Sequence, residues 1–127
     1  MSDAVLDASA VLAILHGERG AERVRAVLPG ALLSTVNLGE VVSKLVERGM
    51  PAQLALDATL ALSPEVVPLS QAQAVLAGEL RASTRQAGLS FGDRCCLALA
   101  IERNLPVLTA DAAWEHSGTA ADVRLIR

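Results

Sequence analysis

Leu89-Ser90-Phe91-Gly92-Asp93-Arg94-Cys95-Cys96-Leu97-Ala98-Leu99-Ala100-Ile101, with Pro106-Val107-Leu108-Thr109-Ala110-Asp111 close behind, decides the fold. Ser90 and Asp93 stand at capping-box spacing, where a hydroxyl and a carboxylate satisfy free N–H groups at a helix start. The apolar run from Cys95 to Ile101 favours Leu, Ala and Cys over β-branched residues, which predicts a buried helix. Pro106 to Thr109 predicts a strand, and Asp111 lies just beyond its end.

The same alternation extends outward. Toward the N-terminus, Val66 to Leu69 reads as a strand. Ser70 then caps a long helix with Ala72, Val75, Leu76 and Leu80 on one face, ending near Gly88. Pro51 suits the first turn of a helix over 52–62, which stops before Pro64. Asn37-x-x-Glu40 is a second capping-box pattern. It opens a helix through Val41, Val42, Leu45 and Val46, ended by Gly49. Ala31 to Val36 is a strand preceded by the turn Pro29-Gly30. Glu18 to Leu28 reads as a helix with Val24, Val27 and Leu28 on one face. Ser9 caps a first helix through Leu15, after the short buried strand Ala4 to Leu6. Toward the C-terminus come a short helix, Ala112 to His116, and a last strand, Val123 to Ile126. Strands alternating with helices predict an α/β fold: a small, mostly parallel sheet of about five strands with helices on both faces. No repeat, low-complexity stretch or long linker divides residues 1–127, so one domain is expected.

Composition narrows the function. Hydrophobic residues make up 52% and charged residues 20%, which argues for a packed core and against disorder. The net charge of −3 gives no global field to attract nucleic acid. Arginine supplies ten of the eleven basic residues, Lys44 being the only lysine. Met-Ser-Asp opens the chain with no basic segment ahead of an apolar core, so a cytoplasmic protein without a signal peptide is expected. The longest apolar run is far too short to span a membrane. Cys95 and Cys96 are adjacent, lack CxxC spacing, and read as small core residues.

Asp7, Glu40, Asp93 and Asp111 each sit where a strand ends or a helix begins. In a parallel sheet those places share one edge, the edge where ligands bind. Carboxylates gathered there repel one another unless a cation sits among them. Magnesium and manganese prefer such oxygen donors, and two ions can activate water and stabilise the leaving oxygen of a phosphodiester. Each acid also has a plain structural reading: Glu40 and Asp93 as capping residues, Asp7 and Asp111 as turn residues.

The words around the acids add specificity. Val5-Leu6-Asp7-Ala8-Ser9-Ala10, Asn37-Leu38-Gly39-Glu40-Val41, Leu89-Ser90-Phe91-Gly92-Asp93-Arg94 and Leu108-Thr109-Ala110-Asp111-Ala112-Ala113-Trp114 occur in that order. Over essentially the whole chain this set resembles the PIN-domain ribonucleases, and most closely the VapC-type toxins of toxin–antitoxin (VapBC) pairs. The resemblance implies a metal-dependent endoribonuclease using one or two Mg2+ or Mn2+ ions and metal-activated water, leaving a 5′ phosphate. It implies Asp7, Glu40 and Asp93 as core metal ligands and Asp111 as the fourth, with Glu115 and Asp122 as rivals. It places Ser9, Asn37 and Thr109 as polar neighbours of the site. It further implies a homodimer, an RNA substrate and a VapB-like antitoxin partner.

Other residues carry weaker expectations. Arg94 is placed to contact phosphate or to serve the structure. Arg81, Arg85, Arg103 and Lys44 are candidates for an RNA path, although most such residues are ordinary helix-surface charges. Ser9 has a reading as a plain cap and Thr109 as strand-end filling. With only Phe91 and Trp114 aromatic, base stacking is barely available, and Trp114 reads as packing. His16 and His116 are isolated. Two other function classes stay open. One is a phosphoacceptor or phosphatase-like domain with Asp7 as nucleophile, which lacks the usual lysine after a late strand. The other is a non-catalytic binding module.

Overall fold

Successive residues of the central strands enter different cores, which is why Val5-Leu6, Leu32-Leu33 and Val107-Leu108 are unbroken apolar pairs rather than alternating ones. In the computed structural model, which describes residues 2–127, five short strands form one sheet. They are β1 (Val5–Leu6), β2 (Leu32–Ser34), β3 (Glu65–Val67), β4 (Val107–Thr109) and β5 (Val123–Leu125). Their order is β3-β2-β1-β4-β5, and every pairing is parallel. Leu6, Leu33 and Leu108 pack into one core cluster, whereas Val5, Leu32 and Val107 pack into another.

Helices cover both faces. On the side of Leu6 lie α1 (Ala8–Leu15), α2 (Ala21–Arg25), α3 (Thr35–Glu47) and α4 (Ala52–Leu60), which contribute Val11, Val24, Val41, Leu45 and Ala55. On the side of Val5 lies α6 (Phe91–Arg103), contributing Cys96, Leu97, Leu99 and Ala100 and backed by α5 (Gln71–Thr84). Both cysteines are fully buried. Trp114, in a 3-10 turn over Ala112–Trp114, is completely buried against this second cluster. No helix of the described residues is long and apolar enough to cross a membrane.

The α/β architecture and the five strands match the expectation; several boundaries do not. The expected helix over 18–28 shortens to Ala21–Arg25. Gly20 stands before it with a φ of 95°, its α-carbon pressed against the Ile126 carbonyl where no side chain fits. The buried face of α5 also differs. Val75 is 54% exposed, while Gln73, Ala77 and Thr84 are buried. The polar pair is accommodated because Gln73 Nε2 donates to Glu102 Oε1 at 3.0 Å and Thr84 Oγ1 donates to the Leu80 carbonyl at 2.7 Å. The short helix over 112–116 is a 3-10 turn ending at Trp114.

The strand order positions the site. The chain builds β1, β2 and β3 in one direction, then returns to lay β4 on the other side of β1. Connections therefore leave β1 and β4 in opposite directions, opening a crevice at their carboxyl ends, where ligands bind in α/β sheets.

Candidate functional site

Asp7 follows β1 and Thr109 ends β4, so the two meet at that crevice. The Ser9 and Thr109 hydroxyls both donate to Oδ2 of Asp7, at 2.7 and 2.9 Å. Those two hydroxyls in turn accept backbone N–H groups, Ser9 from Ala110 at 2.9 Å and Thr109 from Asp111 at 3.1 Å. Each hydroxyl has one hydrogen and spends it on Asp7. Ser9 has the residue type and place of a helix cap. The cap of α1 is Asp7, and Ser9 lies inside the helix as a clamp on that carboxylate.

Glu40 is held from its own helix. Asn37 was expected as a helix cap, but the cap of α3 is Ser34, whose Oγ accepts from Val36 N at 3.2 Å. Thr35 and Val36, expected in the strand, already belong to the helix. Asn37 therefore sits one turn before Glu40 on the same face. Its Nδ2 donates to Glu40 Oε1 at 2.7 Å and to the Gly92 carbonyl at 3.1 Å. Gly92, which sequence reasoning missed, makes room for this contact. A β-carbon there would stand 2.7 Å from Cδ of Glu40.

Asp93 completes the expected capping box: Ser90 N donates to its Oδ2 at 2.9 Å, and Ser90 Oγ accepts from Asp93 N. Asp111 caps the 3-10 turn, its Oδ1 accepting from Ala113 N at 3.0 Å.

A common rule emerges. Among the described residues each of the four carboxylates commits one oxygen to the fold and leaves the other without a hydrogen bond: Oδ1 of Asp7, Oε2 of Glu40, Oδ1 of Asp93 and Oδ2 of Asp111. Capping and ligation are compatible, because one oxygen does each.

Burial pushes the Asp7 carboxyl up from 3.8 to about 6, against the two hydroxyls that lower it; the charges of Asp93 and Glu40 raise it further. Burial likewise raises Glu40, opposed by the Asn37 amide and the Lys44 charge and reinforced by Asp93. Asp7, Glu40 and Asp93 thus form one electrostatic group, with Asp111 joined to it through Thr109. As the side chains stand, no three acidic, histidine or cysteine groups of the described residues reach a common ion position. The donor chemistry nevertheless suits a hard cation: free carboxylate oxygens and the buried amide Oδ1 of Asn37, which has no partner. Repulsion that raises carboxyl pKa values is what a divalent ion would relieve.

The remaining candidates separate. Asp122 precedes β5, at the opposite edge of the sheet, and pairs with Arg124 at 2.9 Å, which removes it as a fourth acid. Glu115 is exposed just after the turn that Asp111 caps. Arg94 is buried, its Nε donating to the Ala77 carbonyl at 3.0 Å and its Nη1 to that of Leu89 at 3.4 Å, so it ties α6 to α5 instead of reaching out to a phosphate. Arg103 ends α6, about 15 Å along the axis from Asp93 at 1.5 Å per residue. Arg81 and Arg85 are exposed in and after α5. Lys44 is exposed one turn beyond Glu40.

A parallel α/β sheet with carboxylates at its switch point presents them where such folds bind ligands. The PIN domain family model matches residues 4–118, and the chain belongs to that family. Among curated proteins no sequence matches. Solved structures share the fold. DNA-bound VapBC from Salmonella typhimurium matches with a TM-score of 0.76 at 19% identity, covering 100% of both chains. The sarcin–ricin loop cleaving VapC toxin of Mycobacterium tuberculosis matches with 0.75 at 20% identity, over 93% of this chain and 97% of that one. A toxin–antitoxin complex from Klebsiella pneumoniae matches with 0.71 at 20% identity, over 98% of both.

Proposed function

We propose that this PIN domain is a cytoplasmic, Mg2+- or Mn2+-dependent endoribonuclease and the toxin of a toxin–antitoxin pair. The observation that carries this reading is the set of four carboxylates at one sheet edge, each anchored by one oxygen and free at the other. The resemblance of the whole fold to VapC toxins supports the choice of RNA and of a VapB-like antitoxin.

Bound in this site, one or two divalent ions supply charge neutralisation and a water of lowered pKa. The chain's own residues do the positioning. Ser9 and Thr109 fix Asp7, Asn37 fixes Glu40, and the Ser90 backbone fixes Asp93. Preorganised donors of this kind cost no rearrangement during reaction. Asp7, Glu40, Asp93 and Asp111 would hold the ions in this reading. Exposed Leu54 and Leu60 on α4 and Val46 on α3 give apolar surface for an antitoxin or a second copy in a homodimer. The phosphoacceptor alternative is disfavoured, since no lysine follows β4 or β5.

The test is induced expression of wild type and Asp7→Asn with cellular RNA mapped for new 5′ ends. Wild type should arrest growth and create new ends, and Asp7→Asn should do neither. Equal behaviour of the two would sink the reading.

A further inference from the structure

Phe91 is 46% exposed, although its aromatic ring is the kind of side chain a fold normally hides. The only other Phe, Tyr or Trp, Trp114, is fully buried, so Phe91 is the one benzenoid ring open to stacking. It opens α6 immediately before Gly92. That glycine receives the Asn37 amide on its carbonyl and the Glu40 carboxylate against its α-carbon. Asp93 follows two residues on, about 3 Å further along the helix axis. Phe91 therefore shares the first turn of α6 with Gly92 and Asp93.

The ring is also held. The Arg94 guanidinium lies over it, 5.7 Å from the centroid. That guanidinium is itself fixed by the Ala77 and Leu89 carbonyls. One face of the ring is backed by a locked cation and the ring remains half exposed, which is the arrangement of a stacking platform.

We propose that Phe91 stacks on one nucleobase beside the cleaved phosphodiester and so is a substrate-binding residue that sets preference at that position. The inference rests on the ribonuclease reading above. RNA is favoured over a protein partner because the ring stands alone. The other large exposed apolar side chains, Val46, Leu54, Leu60 and Val75, belong to other helices, α3, α4 and α5, whereas Phe91 shares a helical turn with Asp93.

Binding of ten-residue single-stranded oligoribonucleotides, one per base, is measured in calcium. A ten-residue abasic ribose-phosphate chain serves as the backbone control. Removing a base–aromatic stack weakens binding by about 5- to 150-fold. Phe91→Ala and Phe91→Leu should both lose that much on the best-bound oligoribonucleotide and nothing on the abasic chain. Phe91→Trp should restore binding, and its new fluorescence should be quenched by the oligoribonucleotide and not by the abasic chain. Two results overturn the proposal while leaving the nuclease reading intact: Phe91→Ala binding like wild type, or equal losses on both chains. Wild type that neither binds nor cleaves RNA overturns the nuclease reading and this one together.

Discussion

Asp7 is 4% exposed and still keeps one oxygen free of hydrogen bonds. A carboxylate this buried is costly when ionised, and its pKa of about 6 measures that cost. The unfolded chain releases this proton near 3.8, whereas the fold retains it to about 6. Between those values the folded state binds more protons, so the contribution of Asp7 to stability declines as pH rises through the window. Above pH 6 the penalty is complete, roughly 3 kcal/mol. Asp7→Asn should therefore raise Tm at pH 7.5 in chelator, with little effect at pH 4 and a flatter pH profile. Thermal unfolding across pH 4–8 checks this, and an unchanged slope refutes it. The acids themselves were legible in the sequence from their places beside strands and helix starts. The clamps on them were legible only through the family resemblance, because Ser9 and Thr109 are a hundred residues apart and meet through the β1–β4 pairing.

At the scale of elements, α6 carries the densest information. Its capping box was readable, since Ser90 and Asp93 lie on one local turn. The start of α3 was not. Asn37-x-x-Glu40 has the spacing of a cap, yet Ser34 competes three residues earlier and wins, so β-branched Thr35 and Val36 enter the helix against their preference. Gly92 shows the same limit, for nothing local reveals that Glu40 will rest against it. Gly92→Ala should displace the Glu40 carboxylate and lower nuclease activity at least tenfold while circular dichroism stays native. Activity within twofold of wild type would contradict that role. Arg94→Met keeps the stem and removes the two bonds to the Ala77 and Leu89 carbonyls. It should cost about 2–4 kcal/mol in denaturant unfolding, and should leave the salt dependence of RNA binding unchanged if Arg94 makes no phosphate contact.

For the whole molecule, strand order does what no single motif can. Element types followed from alternation, but the reversal that puts β4 beside β1 depends on long connections and was not written in any segment. That reversal gathers acids from positions 7, 40, 93 and 111. If the proposed metal site is correct, a bound cation adds to the stability of the fold. Saturating manganese at one hundred times its Kd should stabilise wild type by about 2.7 kcal/mol. Asp93→Asn should gain much less, as read from Tm with and without manganese.

The adjacent cysteines have a consequence of their own. Cys95 packs with Ala77 and Ala98, beside Leu76 of α5, whereas Cys96 packs with Val5 and Val107 of the sheet. Burial raises both thiols above their ordinary value, so neither reacts while covered. One peptide bond thus separates two clocks. Cys95 should be alkylated whenever α5 lifts from α6, and Cys96 only when the chain comes apart entirely. Two labelling rates, counted by mass spectrometry, would give the ratio of partial to complete opening. Identical rates would mean that both layers come apart together.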